Sequence, residues 1–276
     1  MSQPTKTVEV LETKARKFTP ASGDGPAVWL VGVAHVGRAD YYQEIQKLLD
    51  EQSLVLYEGV KKKDIDPAQK PVDGKKNSTY QVFSDTLGLE FQLTKIDYSK
   101  PTFKNSDLSW EEMDALEKKS PPKAGTPNLS MIGGMLDPNS EQGKMIATFF
   151  AGIKEDPSSC EAMRLVMIET LSTPGALDKA LSPELSALLI KSRNEKVMSD
   201  LKTELATPGQ KSIAIFYGAG HMGDMETRLT TLGYKGGEER WFKAIQGDTS
   251  KVSGQGQMIL TAARAQFGKK GGGGKL

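Results

Sequence analysis

The sequence predicts an α/β fold in which two related strand-helix-strand halves share a central mixed sheet flanked by helices, with a helical insert between them. Three observations predict it. "AVWLVGVAHV" from Ala27, an apolar stripe at Tyr42, Ile45, Leu48 and Leu49, and "SLVLYEGV" give the order strand, helix, strand. "KSIAIFYGAGHMGDME", a stripe at Met222, Met225, Leu229 and Leu232, and "RWFKAI" repeat that order about 186 residues later. Between the two copies lie helical periodicities broken by Pro- and Gly-rich runs, so the chain reads as one domain. Its core halves span about 7–108 and 191–246, the insert about 109–190, and a flexible Gly-Lys tail 267–276.

Each element follows from its local pattern. Weak alternation over 7–11 predicts a hairpin strand leading into the buried strand at Ala27, and the three-and-four spacing after it predicts a helix over 39–51. The Lys-, Pro- and Asp-rich stretch 61–78 has no period and predicts a surface loop; its aspartates weigh against a polybasic binding site. A helix is predicted over 79–89, a short strand at "LTKIDY", and a loop over 119–139. Two helices follow within 141–171, and Ser182 with Pro183 marks the N-cap and first turn of a long helix over 183–205. The insert methionines Met131, Met135, Met145, Met163 and Met167 are expected to pack in the core rather than to line a peptide groove. Trp29, Trp110 and Trp241, scattered singly, are expected to serve packing.

Composition removes several function classes. The net charge of +1 on a chain that is 26% charged supplies no field to hold a polyanion, so nucleic acid is not an expected partner. One cysteine, Cys160, excludes an internal disulfide framework and any cysteine-based zinc site. No apolar run approaches the roughly 20 residues of a membrane span, and "MSQPTKTVEV" lacks the apolar core of a signal peptide. A soluble protein is expected, periplasmic or secreted if a leader was removed and otherwise cytoplasmic. P-loop, H-E-x-x-H and G-x-S-x-G motifs are absent.

The chain has two histidines, His35 and His221, and both stand in the pattern G-x-x-H-x-G directly after an apolar strand. Open α/β sheets bind ligands outside the carboxyl ends of their strands, so both imidazoles are placed where one site would form. Glu58 ends the strand "SLVLYEGV" and is followed by Gly59. A buried carboxylate needs a partner, and a cation beside two imidazoles would supply one; a plain salt bridge is the alternative. Two histidines and one carboxylate with a position left for water make a catalytic, zinc-like ligand set. Arg193 and Asn194 interrupt the apolar face of the 183–205 helix, where Leu185, Leu189, Val197 and Leu201 mark one row and Ile190 and Met198 the next. They are expected either to hydrogen-bond a buried carboxylate such as Glu58 or to line the site, with an arginine reaching out at the stripe's edge as the alternative.

The residues "GVAHVGRADYYQEIQKLLDEQSLVLYEGV", "RNEKVMSDLKTEL" and "IAIFYGAGHMGDMETRLTTLGYK" resemble the TraB/PrgY/GumN family, as in part does "LGLEFQLTKIDYSKPTFKNSDLSW". That family includes the Tiki metal-dependent proteases and is similar in fold to erythromycin esterases and haem-binding ChaN proteins. The resemblance implies two related α/β halves with a helical insert, and a site made by His35, His221 and Glu58. It implies a divalent-metal-dependent hydrolase, a peptidase using Mn, Co or Zn, with Glu58 as ligand or general base. Arg193 and Asn194 would orient Glu58 or stabilise the oxyanion. Other members are associated with shutting down peptide pheromone signals, so a non-catalytic protein that sequesters a peptide or haem is the alternative, with a histidine as axial ligand.

Overall fold

In the computed structural model the residues described are 7–61, 79–173, 181–267 and 274–275. A seven-stranded mixed sheet carries the fold, with helices on both faces. Its path begins at β6 (Phe103–Asn105) and runs through β4 (Leu54–Tyr57), β7 (Ser212–Gly218) and β2 (Ala27–Val33) to β1 (Val8–Pro20) and β8 (Tyr234–Asp248), while β9 (Gly274–Lys275) pairs with β1. The four strands from β6 to β2 are parallel, and β1 is antiparallel to both β2 and β8. A separate two-stranded ribbon joins β3 (Val36–Gly37) to β5 (Glu90–Phe91).

The central parallel strands β4, β7 and β2 are apolar almost throughout because helices cover both sides. Trp29, Val31, Val33, Val55, Tyr57, Ala214 and Phe216 face α1 (Ala39–Asp50), whose Tyr41, Tyr42, Ile45, Leu48 and Leu49 are buried against them. The alternate residues Val28, Leu30, Leu54, Leu56, Ile213, Ile215 and Tyr217 face the opposite way. There they pack on the helical stretch that ends the insert and on the helix after β7. Each such side chain, fully buried, contributes roughly 1.5–3 kcal/mol.

The insert and its flanks are helical: α2 (Thr79–Leu87), the single turn α3 (Gln92–Lys95), α4 (Trp110–Lys119), α5 (Leu129–Leu136), α6 (Glu141–Lys154) and α7 (Pro157–Leu171). α8 (Pro183–Ser186) starts with Ser182 as N-cap, passes through a π-helical stretch, Ala187–Ser192, and continues as α9 (Arg193–Leu205). α10 (Met222–Thr231) follows β7, and α11 (Gly254–Phe267) closes the chain against α7.

Several expectations need correction. "LTKIDY" is no strand: the ribbon ends at Phe91, and Gln92–Lys95 turns once as a helix, with Ile96 N–H donating to Gln92 O. The 119–139 run holds α5, because Asn128 accepts from Met131 N–H and caps an apolar octet that the surrounding Pro and Gly obscure. β1 and β8 are much longer than predicted, 13 and 15 residues, since they pair with each other along most of their length. α11 falls beyond the predicted second half. Of the expected flexible tail, Gly274–Lys275 forms β9; residues 268–273 and 276, like 62–78 of the predicted surface loop, lie outside the described residues. Met163 and Met167 pack on the core, whereas Met131, Met135 and Met145 are exposed because their helix faces meet solvent. Among the described residues no helix is long and apolar enough to cross a membrane.

Candidate active site

Sheet order brings the two histidine motifs together. β2 and β7 are parallel neighbours with Gly32 opposite Tyr217 and Val33 opposite Gly218, so the residues after each strand emerge side by side. β4 flanks β7 on the other side with Tyr57 opposite Phe216, which puts Glu58 at the same edge. Each motif glycine makes room for the other half. A Cβ on Gly32 would press on Ala219 and Met222 of the second motif; one on Gly218 would come within 3.3 Å of both Glu58 Oε2 and His35 Nε2. The need is for space, since neither glycine has positive φ.

The backbone before His35 is pinned by α1. Ala34 N–H donates to the Tyr41 hydroxyl at 2.9 Å, and the Tyr42 hydroxyl donates to Ala34 O at 2.8 Å. His35 O accepts from Gln92 N–H, and the Gln92 side-chain oxygen lies 2.8 Å from His35 Nδ1. Gln92 is held in turn by donating to Tyr98 at 2.7 Å. An amide oxygen accepts only, so Nδ1 is the donor in this bond.

His221 is arranged the same way by different residues. It ends the 3-10 turn Ala219–His221, and its Nδ1 lies 2.7 Å from Asn194 Oδ1. Asn194 Nδ2 donates to Asp224 at 2.8 Å, and a carboxylate can only accept, which fixes the amide orientation and hence the imidazole tautomer. Nε2 of His221 then stands 3.8 Å from Glu58 Oε1. Burial pushes the His221 pKa down to about 4; Glu58 opposes the shift, and Arg193 and His35 add to it.

Glu58 and Asp107 share one arginine. Arg193 Nη2 donates to Glu58 Oε1 and to Asp107 Oδ2, both at 2.6 Å, and Nε donates to Asp107 Oδ1 at 2.9 Å. Asp107 also accepts from Gly59 N–H and Leu108 N–H, so each of its oxygens takes two donors. Glu58 Oε2 accepts from Gly218 N–H at 2.5 Å. Burial raises the Glu58 pKa, but Arg193 first and then the two histidines override it and hold the carboxyl far below the usual range. One guanidinium against two carboxylates leaves this buried cluster one negative charge in excess.

Arg193 touches Glu58 as the sequence suggests, but its Nε, Nη1 and Nη2 are all committed, the second to Leu189 O. Asn194 is fully buried and bonds His221 and Asp224, not Glu58. In this arrangement Arg193 orients Glu58, one of the two roles expected for it, and Asn194 orients His221. Sequence reading missed Gln92 and Asp107. It also missed Tyr80, whose ring meets His35 edge-on at 5.9 Å and stacks on Phe91 at 5.4 Å and 7°. Burial raises the Tyr80 pKa, Glu58 raises it further, and Arg193 opposes.

The donor set suits a divalent cation. Two imidazole Nε2 atoms face Glu58, each oxygen of which spends one hydrogen bond and retains further lone-pair capacity, and the cluster carries surplus negative charge. Among the described residues, no group of three or more His, Cys, Asp or Glu side chains stands so that it could hold a metal ion as arranged in this structure. No family model, curated protein or solved structure matches this chain.

Proposed function

We propose that the protein is a divalent-metal-dependent hydrolase acting on peptide amide bonds, with His35, His221 and Glu58 holding Mn, Co or Zn. One observation carries the reading: both imidazoles give Nδ1 to an amide oxygen and set Nε2 beside a buried two-carboxylate, one-arginine cluster whose excess negative charge calls for a cation. An ion held there supplies an acidified water and a polarised carbonyl.

The chain's own residues do the rest. Gln92 and Asn194 keep the imidazoles in the tautomer that a metal requires. Arg193, anchored by Asp107, keeps Glu58 anionic, so Glu58 serves as a charged ligand; a carboxyl held so far below neutral pH is a poor proton acceptor. The resemblance to the TraB/PrgY/GumN family agrees with this assignment, and peptide as substrate class rests on that resemblance. Sequestration of haem or peptide gives no use to the Arg193–Asp107 support of Glu58.

The test is metal content of untagged protein by elemental analysis, paired with peptide hydrolysis. Near one equivalent of metal is expected in wild type and almost none in His35→Ala or His221→Ala. Hydrolysis should vanish with chelator and return with Mn. Activity that survives both chelation and His35→Ala defeats the proposal, and a Soret band on haem titration without any hydrolysis supports sequestration instead.

A further inference from the structure

Hydrolysis of an amide places negative charge on the carbonyl oxygen, and a hydrolase needs a donor for it besides the metal. Around this site the polar groups are almost all spent. Arg193 is divided among Glu58, Asp107 and Leu189, Asn194 between His221 and Asp224, Gln92 between His35 and Tyr98. The Gly218 N–H goes to Glu58, the Gly59 N–H to Asp107, and the Tyr217 hydroxyl to Ser106 O. Tyr80 is the exception: among the described residues its hydroxyl makes no hydrogen bond, although a buried tyrosine ordinarily finds a partner.

Its placement is specific. Phe91 stacks flat on the ring, and the next residue, Gln92, holds His35, so one short segment fixes both the imidazole and the phenol beside it. Burial and then Glu58 raise the phenol's pKa and Arg193 opposes them, so its proton is held more firmly than in a free tyrosine. The part-buried ring also stands on the accessible side of the site, against part-buried His35 rather than buried His221.

We propose that the Tyr80 hydroxyl is a catalytic hydrogen-bond donor to the substrate carbonyl oxygen as it becomes an oxyanion. Water oxygen bonds to the carbonyl carbon and the π-electron pair moves onto the carbonyl oxygen, which accepts from Tyr80. On collapse that pair re-forms the carbonyl, the C–N bond breaks with its electron pair left on nitrogen, and the proton released by the attacking water reaches that nitrogen through solvent, so the amine leaves neutral. Tyr80 keeps its own proton throughout. The inference rests on the hydrolase reading and adds the residue that recognises the tetrahedral state.

The test compares wild type with Tyr80→Phe, which keeps both ring contacts and removes one oxygen. A fluorogenic peptide library with added Mn identifies the best peptide, and its phosphinic analogue serves as the tetrahedral probe. Expected are a kcat lowered about 100-fold, a KM within about twofold of wild type, a phosphinic analogue bound more weakly by a similar factor, and an unchanged thermal midpoint. Unaltered kcat and analogue affinity overturn the role of Tyr80 while leaving the hydrolase reading intact. So does a lowered kcat with unaltered analogue affinity, or a loss confined to KM. Wild type that hydrolyses no library peptide overturns both.

Discussion

The two histidine motifs share a pattern and differ in their surroundings. Each follows a parallel strand, each relies on a glycine three residues back, and each imidazole gives its Nδ1 proton to a side-chain amide. His221, however, is 4% exposed and is locked through Asn194 to Asp224 and Arg228 on α10. His35 is part-buried and flanked by Tyr80 and Gln92, from the short elements α2 and α3. A repeated motif has thus yielded one fixed pole and one accessible pole, and substrate is expected to approach over His35.

Removing the charge between the poles should have the largest effect. Arg193→Met leaves Glu58 and Asp107 as two buried carboxylates without a cation, a loss of about 3–5 kcal/mol by urea unfolding. Divalent metal should restore part of that stability, because it replaces the missing positive charge; a variant as stable as wild type without metal would mean the cluster is not charged as described.

Acid should distinguish the poles next. In chelated protein the folded His221 pKa near 4 lies below its unfolded value, so between about pH 6.5 and 4 the unfolded chain binds more protons. Stability is therefore complete above that window and falls as pH drops through it, by about 3 kcal/mol at about 1.4 kcal/mol per pKa unit. His221→Gln should flatten this part of the curve in a series of denaturant melts. An equally steep fall in the variant would assign the loss elsewhere.

The smallest contrast concerns the two amides. Gln92→Ala and Asn194→Ala should each weaken metal binding about 10–100-fold, read by competition with a chelating dye. Asn194→Ala should also lower the melting temperature, because it leaves the buried His221 Nδ1–H without an acceptor, while Gln92→Ala leaves its imidazole open to water. Equal losses of stability would erase the distinction between the poles.

Much of this was legible in the chain, for reasons tied to particular residues. Strand-glycine-histidine-helix is local, so β2, α1, β7 and α10 follow from apolar runs and three-and-four spacing, and Arg193 stood out because it breaks an apolar stripe. Asp107 gave no such signal: it follows a three-residue strand and becomes a partner of Arg193 only through the sheet order that sets β6 beside β4. Gln92 lay just before a stretch read as a strand, whereas its role depends on a single helical turn placing it under His35. Tyr80 looked like any aromatic on an amphipathic helix, and what sets it apart is its ring contact with His35 and a hydroxyl that bonds no other described residue.

The insertion of β7 between β2 and β4 has a consequence for biosynthesis. β2 and β4 leave the ribosome well before residue 212 and have no direct pairing with one another, so the sheet's centre stays open until β7 arrives. Nascent or truncated chains therefore lack the second imidazole and a closed sheet alike. High contact order of this kind slows folding and invites aggregation, and the proposed site stays incomplete until His221 is in place.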